Sequence, residues 1–153
     1  MSVRLSADEA WSVLEQAHTG IFTTLRRDGM PIALPVWFVT IDRTICLAAP
    51  SSTKKLARLR HDPRASLLVE SGKRWVELQA VHVAGTVEVV EDPQLMARID
   101  AALQAKYAAS KADHSAMPEA TQQHYAGRTF LRLVPEDRML SWDNRRLPLT
   151  PKS

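Results

Sequence analysis

Apolar positions change their period several times along the chain, and each change marks an element. Ala10, Trp11, Val13, Leu14 and Ala17 recur at helical spacing. Ser6-Ala7-Asp8-Glu9 ahead of them is a capping box, with Ser6 as N-cap and Glu9 reaching back. Trp11 falls on the apolar face and reads as the core anchor of this helix, which Gly20 follows. Ile21–Arg26 and Ile32–Ile41 are rich in β-branched and aromatic residues and read as strands. Arg27-Asp28-Gly29 lies between them, and Asp-Gly is a hairpin signal because both turn positions tolerate positive φ. Pro31 and Pro35 cannot donate to a sheet ladder, so the second strand is expected at an edge, or bent where a ligand lies against it. Asp42-Arg43 turns into a third strand, Thr44–Ala49.

The next stretch changes character. Pro50-Ser51-Ser52-Thr53 places three hydroxyl residues before a short basic helix containing Lys54, Lys55 and Arg58, which Asp62-Pro63 ends. Hydroxyls of this kind cap a helix N-terminus, where unpaired N–H groups and partial positive charge attract anions. Lys54, Lys55 and Arg58 add full charges beside those donors, so hydroxyls, amides and cations together would suit a phosphate. Strand Ala65–Glu70 follows, then a Ser71-Gly72-Lys73 turn. Trp75–Val90 is too long for one unbent strand and calls for a bulge or bend near Gly85. Its alternation leaves His82 on the polar phase. Asp92-Pro93 opens the longest helix, with Leu95, Met96, Ile99, Ala102, Leu103 and Tyr107 on its apolar face. Ala108–Gln123 reads as a loop with a short helical turn, with His114 and the following His124 exposed; Thr129–Leu133 is a last β run before Met139–Asp143.

The tally is about six short strands joined by turns, a helix in front, a basic helix between strands and a long helix late. That order predicts a mainly β fold, an antiparallel barrel with flanking helices, in place of a doubly wound sheet. At 153 residues the chain fits one domain, 1–153, with 146–153 expected as a flexible tail.

Composition narrows the function. Cys46 is the single cysteine and sits in an apolar run, so no internal disulfide forms and a reducing cytoplasm is expected. No Cys/His pair has metal-ligand spacing, and no apolar run is long enough to cross a bilayer, so neither a metal nor a membrane is expected. Residues 50–74 hold seven basic and two acidic side chains, a local charge of +5 in a chain of net +3, so the remainder sums to −2. The positive charge is local and favours an anionic partner. Nucleic acid fits poorly, because no aromatic interleaves with the basic residues between Ser51 and Arg64 to stack on bases.

In order and spacing these features resemble a known family. The pieces are Thr23-Thr24-Leu25, Asp28-Gly29-Met30-Pro31, Pro35-Val36-Trp37-Phe38, Ser52-Thr53-Lys54-Lys55, Leu59 to Arg64, Gly85-Thr86-Val87-Glu88, and Pro135-Glu136 with Ser141-Trp142-Asp143. Together they resemble the pyridoxamine 5′-phosphate oxidase-like, FMN-binding split β-barrel superfamily, and more narrowly its flavin/deazaflavin oxidoreductases that use coenzyme F-420. The resemblance runs from about Ser6 to Arg146. It implies a homodimer with cofactor sites between subunits. Ser51, Ser52, Thr53, Lys54, Lys55 and Arg58 would hold the cofactor phosphate, with Lys55 as the phosphate-binding lysine. Pro35, Val36, Trp37 and Phe38 would lie against the tricyclic ring, and Trp75 and Trp142 would approach from the other subunit. Relatives often carry Asn where this chain has Arg58.

The chain lacks a motif for a nucleophile, a paired acid and base, or a metal, yet it has a phosphate cradle. A cofactor that carries the chemistry itself accounts for both facts. The leading expectation is a reductase using F-420, whose acidic tail suits the +5 segment with Arg60, Lys73 and Arg74. The alternatives are an FMN-dependent oxidase or reductase and a non-catalytic cofactor or haem carrier. For haem, His18, His61 and His82 are isolated, and His61 is the one to test. No catalytic residue is assigned, and the substrate is expected to be a small molecule.

Overall fold

The computed structural model describes residues 2–110 and 127–148. His114 and His124 and most of the expected 108–123 loop lie outside the described residues. Helix α1 (Ala7–Gln16) carries the capping box in both directions: Ser6 Oγ accepts from the Glu9 amide, and the Glu9 carboxylate accepts from the Ser6 amide. Strands β1 (Gly20–Leu25) and β2 (Pro31–Val36) form the first hairpin, and β3 (Val39–Ile41) and β4 (Thr44–Pro50) the second. Helix α2 (Lys54–His61) precedes β5 (Arg64–Ser71); β6 (Gln79–Val89) leads to helix α3 (Pro93–Tyr107), and β7 (Arg128–Pro135) and β8 (Leu140–Asp143) close the chain.

These strands form one curled antiparallel sheet in the order β2-β1-β5-β6-β7-β4-β3, with β8 paired to β6. It is the split-barrel arrangement, a curled half-barrel with flanking helices. Strand β4 shows how the layers arise. Ile45, Leu47 and Ala49 face the interior with Phe22, Phe38, Leu67 and Leu131, while Cys46 and Ala48 face the opposite cluster built by Ile99, Leu103 and Tyr107 of α3. Helices α1 and α2 close the interior with Trp11, Leu14, Leu56 and Leu59, all buried. A strand covered on both faces reads as an unbroken apolar run, and Thr44–Ala49 does.

Three expectations are corrected. The run Ile32–Ile41 is two strands, because Trp37 and Phe38 leave the ladder between β2 and β3. The first hairpin is not a two-residue turn. The Gly29 amide donates to the Arg26 carbonyl and the Arg26 amide to Met30, and only Gly29 has positive φ, +85°. The turn with two left-handed residues is instead Asp42-Arg43, at φ 50° and 55°. Ion pairs from Arg43 to Asp8 of α1 and from Arg98 of α3 to Asp42 fasten it from both sides. Finally, β6 carries no bulge at Gly85. Residues 75–77 form a separate 3₁₀ turn, and β6 then pairs with β5 in unbroken register from Gln79 to Thr86. What changes along β6 is its other neighbour: β8 over Gln79–His82, β7 over Gly85–Val89. A Cβ on Gly85 would lie 2.0 Å from the Val134 carbonyl oxygen, so glycine is needed where β7 crosses close. Strand β2 lies at the sheet edge, as its prolines require.

Candidate functional site

The break between β2 and β3 is held from outside the sheet. Phe38 is fully buried, and its amide donates to Tyr107 Oη at 2.9 Å. The same hydroxyl lies 2.7 Å from the His18 carbonyl and 2.9 Å from the Phe38 carbonyl, and the Lys106 ammonium donates to Phe38 O at 2.8 Å. These last residues of α3 thus replace the sheet partners that Phe38 lacks. Burial pushes the Lys106 ammonium down to about 8, and its head sits 4.1 Å from the Phe38 ring centroid.

With Val36 and Phe38 turned inward, Trp37 turns outward and remains 38% exposed. Its indole stacks on Tyr107 at 4.3 Å between centroids and 5° between planes, while His18 meets both rings edge-on. A stacked ring braced at its edge is a fixed platform.

The second half of the site is the entry to α2. Thr53 occupies the N-cap position, but its side chain makes no capping bond, which corrects the expectation of hydroxyl capping. Thr53 Oγ1 is buried without a hydrogen-bond partner. Ser51 Oγ instead lies 2.9 Å from Thr129 Oγ1. Lys55 is half-buried, and desolvation, with Arg58 nearby, holds its ammonium below the usual lysine value. Arg58 Nε donates to the buried Thr24 Oγ1 at 2.7 Å, which fixes that guanidinium against β1. An orphaned buried hydroxyl, an uncapped helix start and a lysine that burial penalises all gain from an anion. The residues fit a phosphate.

Thr19, Pro35, Val36, Trp37, Ala48, Pro50, Thr53 and Lys55 line one groove of about 540 Å³, the size of a small-molecule site. The structure therefore brings together Pro35, Val36, Trp37, Thr53 and Lys55. Ser51, Ser52 and Lys54 are exposed on the same segment, and Arg58 lies one turn further along. Phe38 is behind the groove, in the core. Trp75, 63% exposed, sits on the 3₁₀ turn with its carbonyl accepting from Asn144 Nδ2; Trp142, 38% exposed, is on β8 opposite Ala80. Neither lines the groove. Thr19, Ala48 and Pro50 carry no signal in sequence, and Tyr107 and Lys106 read only as the end of an amphipathic helix. No cluster of metal-binding side chains occurs among the described residues, and no helix there is long and apolar enough to cross a membrane.

Comparison with known proteins follows this geometry. Residues 6–139 match the family described as pyridoxamine 5′-phosphate oxidase. The chain belongs to this family. Among solved structures it is similar to a conserved hypothetical protein from Mycobacterium tuberculosis, with 30% identity, a TM-score of 0.81, and coverage of 99% of this chain and 93% of that one. It also shares its fold with a FAD-binding protein from Mesorhizobium loti (22% identity, TM-score 0.68, 90% and 93% covered). A haem-binding protein from Mycobacterium smegmatis has the fold as well (24%, 0.68, 93% and 60% covered). Among curated proteins none matches the sequence.

Proposed function

We propose that this pyridoxamine 5′-phosphate oxidase family member is an oxidoreductase that transfers a hydride between the deazaflavin coenzyme F-420 and a small organic substrate. The observation that carries this reading is the groove itself, with an anion cradle at Thr53 and Lys55 and the braced Trp37 platform along its wall. A bound deazaflavin would supply the hydride chemistry. The protein's share is position and exclusion of water. Lys55 and Thr53 Oγ1 hold the phosphate, Trp37 with Pro35 and Val36 flanks the ring, and Arg60, Lys73 and Arg74, all exposed, meet the acidic tail.

The functional unit in this reading is a homodimer, in which the exposed Trp75 and Trp142 of one subunit reach the groove of the other. Sedimentation at rising concentration tests that directly, and a monomer at all concentrations overturns it.

The flavin likeness of the fold favours a second reading, an FMN-dependent oxidase or reductase using the same groove. Side-by-side fluorescence titration with F-420 and FMN separates the readings. Tight F-420 binding with weak FMN binding supports the first, and the reverse supports the second. Binding of neither, with haem giving a Soret shift that His61→Ala abolishes, replaces both by a carrier.

A further inference from the structure

We propose that a second cavity, on the other side of Thr19 from the groove, binds a small ligand through a cationic, donor-rich group such as an amidinium, guanidinium or ammonium. It would anchor the substrate. That role rests on the cofactor reading above, whereas the ligand's chemistry rests on the cavity alone.

The cavity has a volume of about 470 Å³ and lies between the end of α1, the end of β5 and the start of β6. It is built by register. Ser71 pairs with Gln79 where β5 hands over to β6, and antiparallel pairing of β1 with β5 brings the chain entering β1 to the same end of the barrel. Thr19 lines both this cavity and the groove, so the two are adjacent. A molecule of ordinary substrate size can be anchored in one and reach into the other.

Its polar side chains are Gln16, His18, Thr19, Glu70, Ser71 and Gln79. Gln79 Nε2 donates to Asp143 Oδ2 at 3.1 Å. Asp143 is buried, and the Arg145 guanidinium holds its carboxyl down at about 2, so it is an ionised acceptor and the orientation of the Gln79 amide follows. That leaves Gln79 Oε1 free to accept and one Nε2–H free to donate. Gln16 Nε2 donates to Ser12 Oγ at 3.1 Å, which leaves its Oε1 and a second N–H available. The two ring nitrogens of His18 are engaged with Thr19 Oγ1 at 3.0 Å and Ser110 Oγ at 3.3 Å. Glu70 supplies the one charge in the lining, and its carboxylate has no ion-pair partner among the described residues. Lys73 and Arg74 on the following turn do not line the cavity, and the Arg74 guanidinium is paired with Glu77. The unpaired Glu70 carboxylate selects against an anion, and the amide oxygens of Gln16 and Gln79 add acceptors for a ligand that brings several N–H donors on a positive charge.

The test uses the full chain and benzamidine as the probe, with benzoate as the control of matched size, followed by amide NMR shifts. Benzamidine should shift the amides of Glu70, Ser71 and Gln79 saturably, and benzoate should not. Glu70→Gln should weaken benzamidine about tenfold, the loss of one charge-assisted bond, while leaving F-420 and FMN affinity unchanged. Lys55→Ala should do the reverse. Equal shifts with benzoate, shifts centred on Thr53 and Lys55, or an unaltered affinity in Glu70→Gln would each overturn the cation site. If benzamidine binds as expected and neither F-420 nor FMN binds at all, the site stands and its assignment to a substrate falls.

Discussion

Tyr107→Phe tests the link between the last turn of α3 and the groove. The substitution keeps the ring under Trp37 and removes only the hydroxyl, so packing and stacking are left in place. The hydroxyl accepts from the Phe38 amide at 2.9 Å and is 2.7 Å from the His18 carbonyl, and Tyr107 is fully buried. The Phe38 carbonyl keeps its bond from Lys106, but the Phe38 amide has no other partner among the described residues. Two hydrogen bonds at about 1 kcal/mol each, plus about 1–3 kcal/mol for a stranded buried N–H, give a loss of about 3–5 kcal/mol. For a chain of this length that lowers Tm by about 9–15 °C, at roughly 3 °C per kcal/mol. Urea unfolding, followed by far-UV circular dichroism, should show the midpoint moved with the slope unchanged. In the folded variant cofactor affinity should fall, because the β2–β3 break that presents Trp37 is no longer held at the Phe38 amide. A stability loss below about 0.5 kcal/mol would mean that Phe38 finds another acceptor and that α3 does not hold the β2–β3 break.

Three further outcomes follow from the same geometry. Lys55→Ala should bind the cofactor about 10–100-fold more weakly, with the difference shrinking at high salt and thermal stability retained; unchanged affinity would remove Lys55 from the cradle. Lys106, held at about 8, takes up its proton less readily in the folded chain than in the unfolded one. The unfolded chain therefore carries the extra proton between about pH 8 and the usual lysine value, and stability should rise with pH across that window up to about pH 10, where Tyr107 begins to oppose it. Lys106→Met should flatten this rise, and an identical pH profile in the variant would show that Lys106 is solvated. Gly85→Ala, which drives a methyl into the Val134 carbonyl, should cost more than about 3 kcal/mol, whereas Gly29→Ala, strained only by its positive φ, should cost about 1–2 kcal/mol. Equal losses by chemical denaturation would refute the close approach of β7 at Gly85.

Much of this molecule was written in local patterns. The capping box at Ser6, the edge character that Pro31 and Pro35 impose, the doubly buried β4 and the basic helix after Ser51 each depend on residues a few positions apart. A local period or a missing N–H is enough to dictate them. The order of those pieces also carried the family. The hairpins show where local signals fail. Asp28-Gly29 carries the stronger two-residue signal, yet the left-handed pair is Asp42-Arg43. That choice belongs to tertiary contacts, because Asp8 and Arg98 bind the Asp42-Arg43 turn from two helices. The break at Trp37-Phe38 is equally invisible in the apolar run around it, since its cause, Lys106 and Tyr107, lies some seventy residues away. The same holds for the two cavities. The sequence by itself determined that hydroxyls and lysines would meet at a helix start, because they are adjacent in the chain. Only the tertiary structure decided that Thr53 Oγ1 would be left unpaired, that Tyr107 would brace Trp37, and that Thr19 would line two cavities, because each depends on strand ends that antiparallel pairing alone brings together.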